Sequence, residues 1–292
     1  MQFTSAIPTI DREWVSCHEL STHSKFRLRV KIMIGAIAGD IVGSVYEARP
    51  IKSKDFPLFD SRCTFTDDSV LTIAVAWAIL SGRPYRDAVL EIGRRYPHAG
   101  YGGSFIRWLM AADPRPYNSW GNGAAMRVSP VGFAFDTIEE VLEQARWTAV
   151  ISHDHPEGIK GAQATALAVF LARRGLKKEE IREQISRRFG YDLQRSIGQI
   201  RPAYGFRISC QETVPEAIVA FLDSESYEDA LRNAVSLGGD SDTLACITGG
   251  IAEAYYGPVP DVIQAKVQAI LPAPLWKIAE RFCRVYRLRE TS

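Results

Sequence analysis

Apolar residues recur along most of this chain at helical spacing, and nowhere do they alternate in the period-two manner of a half-buried strand. The segment VLTIAVAWAIL (70–80) is apolar nearly all round, which predicts a helix buried on every side. IGAIAGDIVGSVY places Gly35, Gly39 and Gly43 four apart. On a helix they form one stripe that lets another backbone approach closely. Helical patterns also fit 86–95, 137–150, 157–173, 178–188, 215–222, 226–236, 242–255, 260–270 and 274–287. Pro258 and Pro260, then Pro272 and Pro274, separate the last helices. No repeat of fixed period and no Ser/Gly linker divides the chain. Residues 1–30 read differently, being mostly polar and aperiodic and running into the basic stretch Lys25 to Lys31. The expectation is one compact all-α domain over 31–292, preceded by a loose or peripheral extension over 1–30. Met33 is an alternative start of translation.

Composition narrows the function. Lys plus Arg is 35 against Asp plus Glu 34, so there is no electrostatic reason to expect nucleic acid or an acidic membrane as the main partner. The five cysteines, Cys17, Cys63, Cys210, Cys246 and Cys283, are scattered and include no CxxC pair. That argues against a disulfide framework or thiolate zinc site and for reduced, cytoplasmic thiols. The N-terminus lacks the basic and apolar regions of a secretory signal, and no run of about 18 apolar residues appears.

Chemistry gathers in five places. Thr66-Asp67-Asp68 precedes the buried helix, and Asp240-Ser241-Asp242-Thr243 follows Gly238-Gly239 at a second helix start. Each offers only hard oxygen ligands, suited to Mg²⁺, Mn²⁺ or Ca²⁺ rather than zinc. Helix capping explains one carboxylate in each cluster and leaves the other idle. A paired-cation site explains both clusters at once, because converging carboxylates repel unless neutralised. Ser119-Trp120-Gly121-Asn122-Gly123 is a glycine-rich loop leading into a helical segment through Arg127. It is either a plain turn or a set of backbone N–H groups for phosphate, and Trp120 either packs or stacks on a base. Ser152-His153-Asp154-His155 is either a polar interhelical turn or a ligand contact through one of its histidines. Asp40 sits among apolar residues, an awkward place for an unpaired charge, and either caps a neighbouring helix or supports the site. Glu47 comes just before Arg49-Pro50, where the helix should stop. A carboxylate there suits acid/base work, and a surface glutamate is the alternative.

Taken together, GAIAGDIVGSVYE (35–47), FTDDS (65–69), GNGAAMRVSP (121–130), SHDHPEGIKGAQA (152–164) and GGDSDTLACITG (238–249) resemble the ADP-ribosylhydrolase family, which includes the dinitrogenase reductase-activating glycohydrolases and the serine-ADP-ribose hydrolases. The likeness spans residues 33–257. It implies an all-α orthogonal bundle with two Mg²⁺ or Mn²⁺ ions held centrally by Thr66, Asp67, Asp68, Asp240, Asp242 and Thr243. It implies further that Ser119 to Gly123 cradle the diphosphate, that Trp120 lies near the adenine, and that His153 approaches the diphosphate or its ribose. SVYE looks most like the serine-type branch, in which the glutamate matching Glu47 is catalytic. Two departures stand out. The family's Thr-Asp-Asp-Thr reads Thr-Asp-Asp-Ser here, with Ser69 last. The stretch from His98 to Arg107 holds no counterpart of the arginine-type branch's extra acidic residue.

The reaction so implied is hydrolysis at the anomeric carbon of the distal ribose through an oxocarbenium-like transition state. Glu47 is the first candidate acid or base, with Asp67 or Asp240 acting through a metal-bound water as alternatives. The expected partner is an ADP-ribosylated protein or other ADP-ribose conjugate, met by a monomer. A free ADP-ribose metabolite, nucleic-acid-linked ADP-ribose, and a catalytically silent ADP-ribose-binding role are the rival readings.

Overall fold

In the computed structural model the described residues are 33–287, so the extension over 1–30 lies outside them. The chain runs α1 Gly35–Glu47, α2 Asp67–Ser81, α3 Tyr85–Gly93, α4 Gly103–Met110, α5 Gly123–Met126, α6 Ser129–Ala134, α7 Ile138–Val150 and α8 Pro156–Arg173. It continues through α9 Lys178–Phe189, α10 Ile197–Ile200, α11 Cys210–Leu222, α12 Tyr227–Val235, α13 Ser241–Tyr256, α14 Asp261–Ile270 and α15 Ala273–Arg287. The all-helical, single-domain expectation holds. An isolated antiparallel bridge between Gly121 and Ser209 joins two loops. Among the described residues no helix is long and apolar enough to cross a membrane, and Cys63, Cys210, Cys246 and Cys283 are buried, unpaired thiols.

Local chemistry sets the helix ends. Thr66 caps α2 by accepting from the Asp68 N–H, and Gly82 closes it in the left-handed conformation at φ 66°. Thr137 and Glu140 form a reciprocal capping box at α7. At α8, His155 is the cap and Pro156 fills the first turn. Helix α11 begins five residues before the expected 215, with Pro215 inside it. The hydrogen bond that Pro215 cannot make would end on the carbonyl of Gln211, which is exposed and within reach of water.

The core is organised around α13, buried from Ser241 to Glu253, and α1, buried on every residue from Gly35 to Gly43. These two helices run antiparallel with their backbones in contact. A Cβ added to Gly35 would lie 2.4 Å from the Gly249 carbonyl oxygen, one on Gly39 1.9 Å from that of Ala245, and one on Gly43 2.3 Å from that of Ser241. The glycine stripe read from the sequence is this seam. Glu253 of α13 locks it at one end by accepting from the N–H groups of Ile34 and Gly35, at 3.2 and 2.8 Å, where a carboxylate also complements the helix dipole. The seam holds the C-terminal end of α1 against the N-terminal end of α13, so Glu47 and Asp240 meet.

Candidate active site

Asp40 explains how the two acidic clusters stay available. It is fully buried, and its carboxylate accepts from Thr66 N (2.9 Å), Thr66 Oγ1 (2.6 Å), Ser69 N (3.0 Å) and the Ser69 hydroxyl. It thus caps α2 from the neighbouring helix, one of its two sequence readings, and Ser69 serves here as an acceptor's partner. With Thr66 and Asp40 satisfying the helix start, Asp67 and Asp68 are released from capping. Asp68 Oδ2 accepts from Thr243 Oγ1 at 3.4 Å, while its buried Oδ1 has no partner.

At α13 the pattern repeats. Asp240 occupies the cap position without capping; its Oδ2 accepts from Asn122 Nδ2 at 2.8 Å. Asp242 Oδ1 accepts from the Thr243 N–H at 2.9 Å. One oxygen each from Glu47, Asp240 and Asp242 falls within 4.8 Å of the others. Glu47, Thr66, Asp67, Asp68, Asp240, Asp242 and Thr243 all line one cavity of about 360 Å³, within the range of small-molecule sites.

The electrostatics follow from that crowding. Burial, then the charges of Asp40 and Asp240, push the Asp67 carboxyl up to about 8. Burial and the charges of Asp40, Asp67 and Asp240 raise Asp68 well above the usual range, and burial with Asp68 and Asp240 does the same to Asp242. Glu47 is raised by partial enclosure and then by Asp240 and Asp40. So many raised acids in one cavity are a charge deficit that a cation would relieve. The donor set is all oxygen, and an unpartnered carboxylate oxygen lies within it. These residues fit hard divalent cations.

The glycine loop forms the opposite wall. Ser119, Gly121, Asn122, Gly123 and His153 line the same cavity. Ser119 Oγ accepts from the Gly121 N–H at 3.1 Å, and the His153 ring lies against the loop, its Nε2 3.1 Å from where a Gly123 Cβ would sit. Trp120 stands apart from that wall. Its side chain is 52% exposed and meets His155 edge-on at 5.5 Å between ring centroids. The two histidines divide their work: His155 Nδ1 accepts from the Glu157 N–H at 3.1 Å as a helix cap, and Asp154 accepts from the Asn118 N–H at 2.7 Å. Only His153 faces the cavity.

Other wall residues had no assigned role in the sequence. Arg127 is fully buried, and its position within GNGAAMR was the available signal. Gly100, Gly102, Gly103, Ser104 and Phe105 also line the cavity, as do Phe206 and Ile208, exposed apolar residues of a loop without periodicity. That loop is joined to the glycine loop by Asn122 N–H to Ile208 O (2.8 Å) and Cys210 N–H to Trp120 O (2.9 Å). Lys52, five residues past Glu47, ties it down from the other side. Its ammonium donates to the Arg201 carbonyl at 2.9 Å and to the carbonyls of Tyr204 and Leu237. Between these two loops lies the Gly238-Gly239 turn. A Cβ on Gly238, which has φ +63°, would meet the Ile51 carbonyl oxygen at 2.7 Å, and one on Gly239 would meet the Tyr204 ring at 2.5 Å.

Known proteins share this architecture. The sequence model of the ADP-ribosylglycohydrolase family matches residues 22–292. The chain is 28% identical to "ADP-ribosylhydrolase ARH3" of Bos taurus, over 77% of this chain and 84% of that protein. It is also 28% identical to "ADP-ribosylarginine hydrolase Tri1" of Pseudomonas putida, over 52% of this chain and 42% of that one. A solved structure titled "ADP-ribosylglycohydrolase-related protein complex" superposes with a TM-score of 0.66 at 24% identity, covering 89% of this chain and 96% of that one, a likeness of fold. The acid-lined cavity at the α1–α13 seam is thus set in a chain that belongs to the ADP-ribosylglycohydrolase family, a family of glycosidic-bond hydrolases.

Proposed function

We propose that this protein hydrolyses the bond between ADP-ribose and an acceptor on a protein side chain, using two Mg²⁺ or Mn²⁺ ions. The observation that carries the reading is the meeting of Asp67/Asp68 with Asp240/Asp242 in one cavity whose other wall is a glycine loop. Thr66, Asp67, Asp68, Asp240, Asp242 and Thr243 would hold the cations. Thr66 Oγ1 donates to Asp40 and accepts from the Asp68 N–H, which leaves one lone pair for a cation. Thr243 Oγ1 donates to Asp68 and keeps both lone pairs. Bound there, the ions would supply charge neutralisation and polarisation for the ribose hydroxyls and a water.

The protein groups divide the rest. In the glycine loop the Gly121 N–H is engaged by Ser119 Oγ and the Asn122 N–H by the Ile208 carbonyl. The Ser119 hydroxyl and the Gly123 N–H are therefore the groups offered to the diphosphate, remote from the reacting carbon, where binding energy serves orientation. Trp120, exposed at the end of that loop, offers its ring to the adenine. Water adds to the anomeric carbon as the bond to the acceptor oxygen breaks, and a proton returns to that oxygen. Glu47 is suited to this proton transfer. It ends α1 within 4.8 Å of the Asp240 and Asp242 carboxylates; partial burial, then the charges of Asp240 and Asp40, hold its own carboxyl above the ordinary value and nearer working pH.

The test compares Glu47→Gln with Asp242→Asn at saturating cation, measuring turnover and calorimetric ADP-ribose affinity. Glu47→Gln should slow turnover by about 10²–10⁴-fold while the product still binds. Asp242→Asn should impair cation binding, and with it affinity and rate together. Normal turnover by Glu47→Gln on serine-, arginine-, acyl- and nucleic-acid-linked ADP-ribose would remove Glu47 from the mechanism in favour of Asp67 or Asp240. No ADP-ribose release on any of them by the unaltered protein would leave only a binding role.

A further inference from the structure

Arg127 is a buried cation without an anion. It is fully enclosed at the end of α5, and its Nε and Nη1 have no hydrogen-bond partner. Among the described residues no carboxylate pairs with it. Its guanidinium lies over the Phe105 ring, 5.8 Å from the ring centroid. The burial of an unpaired charge is costly, so its remaining contacts call for an explanation. Nη2 donates to the Thr148 carbonyl at 2.8 Å and to Ser152 Oγ at 2.9 Å. Ser152 Oγ in turn lies 2.8 Å from His153 Nδ1.

The proton count along this chain of contacts has one solution that leaves nothing unpaired. Arginine has donors and no acceptor, so it gives a proton to Ser152 Oγ. Serine has a single hydroxyl proton, and its one neighbour able to accept it is His153 Nδ1. That nitrogen must then be bare, and the ring's proton sits on Nε2. In the opposite tautomer Nδ1–H would donate to Ser152, and the buried serine proton would face nothing, a cost of the kind proteins avoid. The Nε2 edge points at the glycine loop, 3.1 Å from a Cβ position on Gly123 and 3.5 Å from one on Gly121. Both residues lack the atom that would block it.

We propose that Arg127 and Ser152 are positioning residues that hold His153 as a neutral Nε2–H donor aimed into the glycine cradle, where it hydrogen-bonds the diphosphate of ADP-ribose. The binding half rests on the reading of the cradle given above; the tautomer half does not. Burial, and then the Arg127 charge, hold His153 well below its ordinary value, so the ring stays an uncharged donor through the physiological range. Tyr117 also stands beside the imidazole, 5.7 Å from His153 between ring centroids. Cys210 and Asp67 act on Arg127 from beyond it.

The chain has five histidines, which suits ¹⁵N NMR of histidine-labelled full-length protein, with His153→Gln identifying the resonances. The ligand-free protein should show His153 protonated at Nε2 and bare at Nδ1, unchanged from about pH 8 to about pH 5.5, a window spanning the ordinary histidine value. Ser152→Ala should mix the tautomers, weaken ADP-ribose binding and raise KM roughly tenfold or more, and leave kcat nearly unchanged. Ser152→Thr should restore both the spectrum and the affinity. Arg127→Gln should repeat the Ser152→Ala spectrum, but it empties a buried cation site and risks misfolding, so the serine pair decides. A proton on Nδ1 in the unaltered protein, titration near the ordinary histidine value, or unchanged tautomer and affinity in Ser152→Ala would each overturn the relay. If the tautomer is as stated but saturating ADP-ribose leaves the Nε2 resonance unmoved, the diphosphate does not lie there and the binding half falls.

Discussion

Stripping divalent cations should make this protein lose stability as pH rises from 5 to 7, against the usual behaviour of acidic side chains. A carboxyl paired with a cation in the fold titrates below its unfolded value and stabilises more as pH rises. Here the sign is reversed. Asp67 is pushed up to about 8, against about 3.9 in an unfolded chain. Between those values the folded state holds about one proton more than the unfolded state, so stability falls by about 1.4 kcal/mol per pH unit. From pH 5 to pH 7 the loss is about 3 kcal/mol, or roughly 5 °C in Tm for a chain of this size. Asp68 and Asp242 shift in the same direction, so the cluster titrates as a unit with the same sign. With cation bound the carboxylates are ionised and this decline disappears; apparent cation affinity should therefore rise about tenfold per pH unit for each proton displaced. Thermal unfolding at pH 5, 6 and 7, with chelator and with saturating Mg²⁺, isolates the effect as the difference between the two series, since other groups cancel. Calorimetric titration in two buffers of different ionisation enthalpy counts the protons released. A difference between the series that stays flat or shrinks from pH 5 to 7, with no proton release, would refute the reasoning.

Three further outcomes are expected. Gly39→Ala, which places a Cβ 1.9 Å from the Ala245 carbonyl oxygen, should cost about 1–3 kcal/mol by overpacking beyond the ~0.5–1 kcal/mol that alanine ordinarily gains in a helix. Gly198→Ala, in helix α10 with only an ordinary 3.7 Å contact to Ser196 Oγ, is the control; equal midpoints in urea for the two variants would contradict close packing at the seam. Trp120→Ala should weaken ADP-ribose binding by roughly 1–3 kcal/mol if the ring stacks on adenine, and an unchanged calorimetric Kd would assign Trp120 to packing against His155. Lys52→Met removes the ammonium shared by the Arg201, Tyr204 and Leu237 carbonyls and should speed hydrogen exchange at 201–209, whereas Lys54→Met, which breaks only the ion pair to Asp229, should not.

What could be read from the sequence was whatever depends on local rules. The glycine stripe, the buried character of 70–80 and the two Asp clusters all rest on spacing along one helix or at one helix start. The structure reproduces the helices, with ends shifted by a few residues where a proline misled the reading, as in α11. Asp40 was legible as an anomaly, a charge in an apolar stripe; that it caps α2 depends on how two helices cross, which spacing does not encode. Arg127 lay in plain view inside a motif. Its burial without a carboxylate is a property of α5, α7 and the loop after it taken together. Phe206 and Ile208 lacked any signal, because a wall residue in an irregular loop has no periodicity to mark it. The same holds for α4, a short helix preceded by Gly100, Gly102 and Gly103.

The seam between α1 and α13 has a consequence for how such a site can change. Gly35, Gly39 and Gly43 meet Gly249, Ala245 and Ser241 in steps of four residues on each helix, like the teeth of a ratchet. Sliding one helix by a fraction of a step moves each glycine away from backbone that leaves no room for a Cβ. The next comparable register lies four residues on, about 6 Å along the axis, too far for Glu47 and Asp240 to stay together. The span between the two acidic clusters is therefore quantised, and small substitutions in the frame cannot tune it. Adaptation to a different acceptor is left to the segments that border the cavity without joining the seam, 100–105 and 206–208. Diversity of substrate should be sought there, against a frame that can be kept or lost and has no intermediate setting.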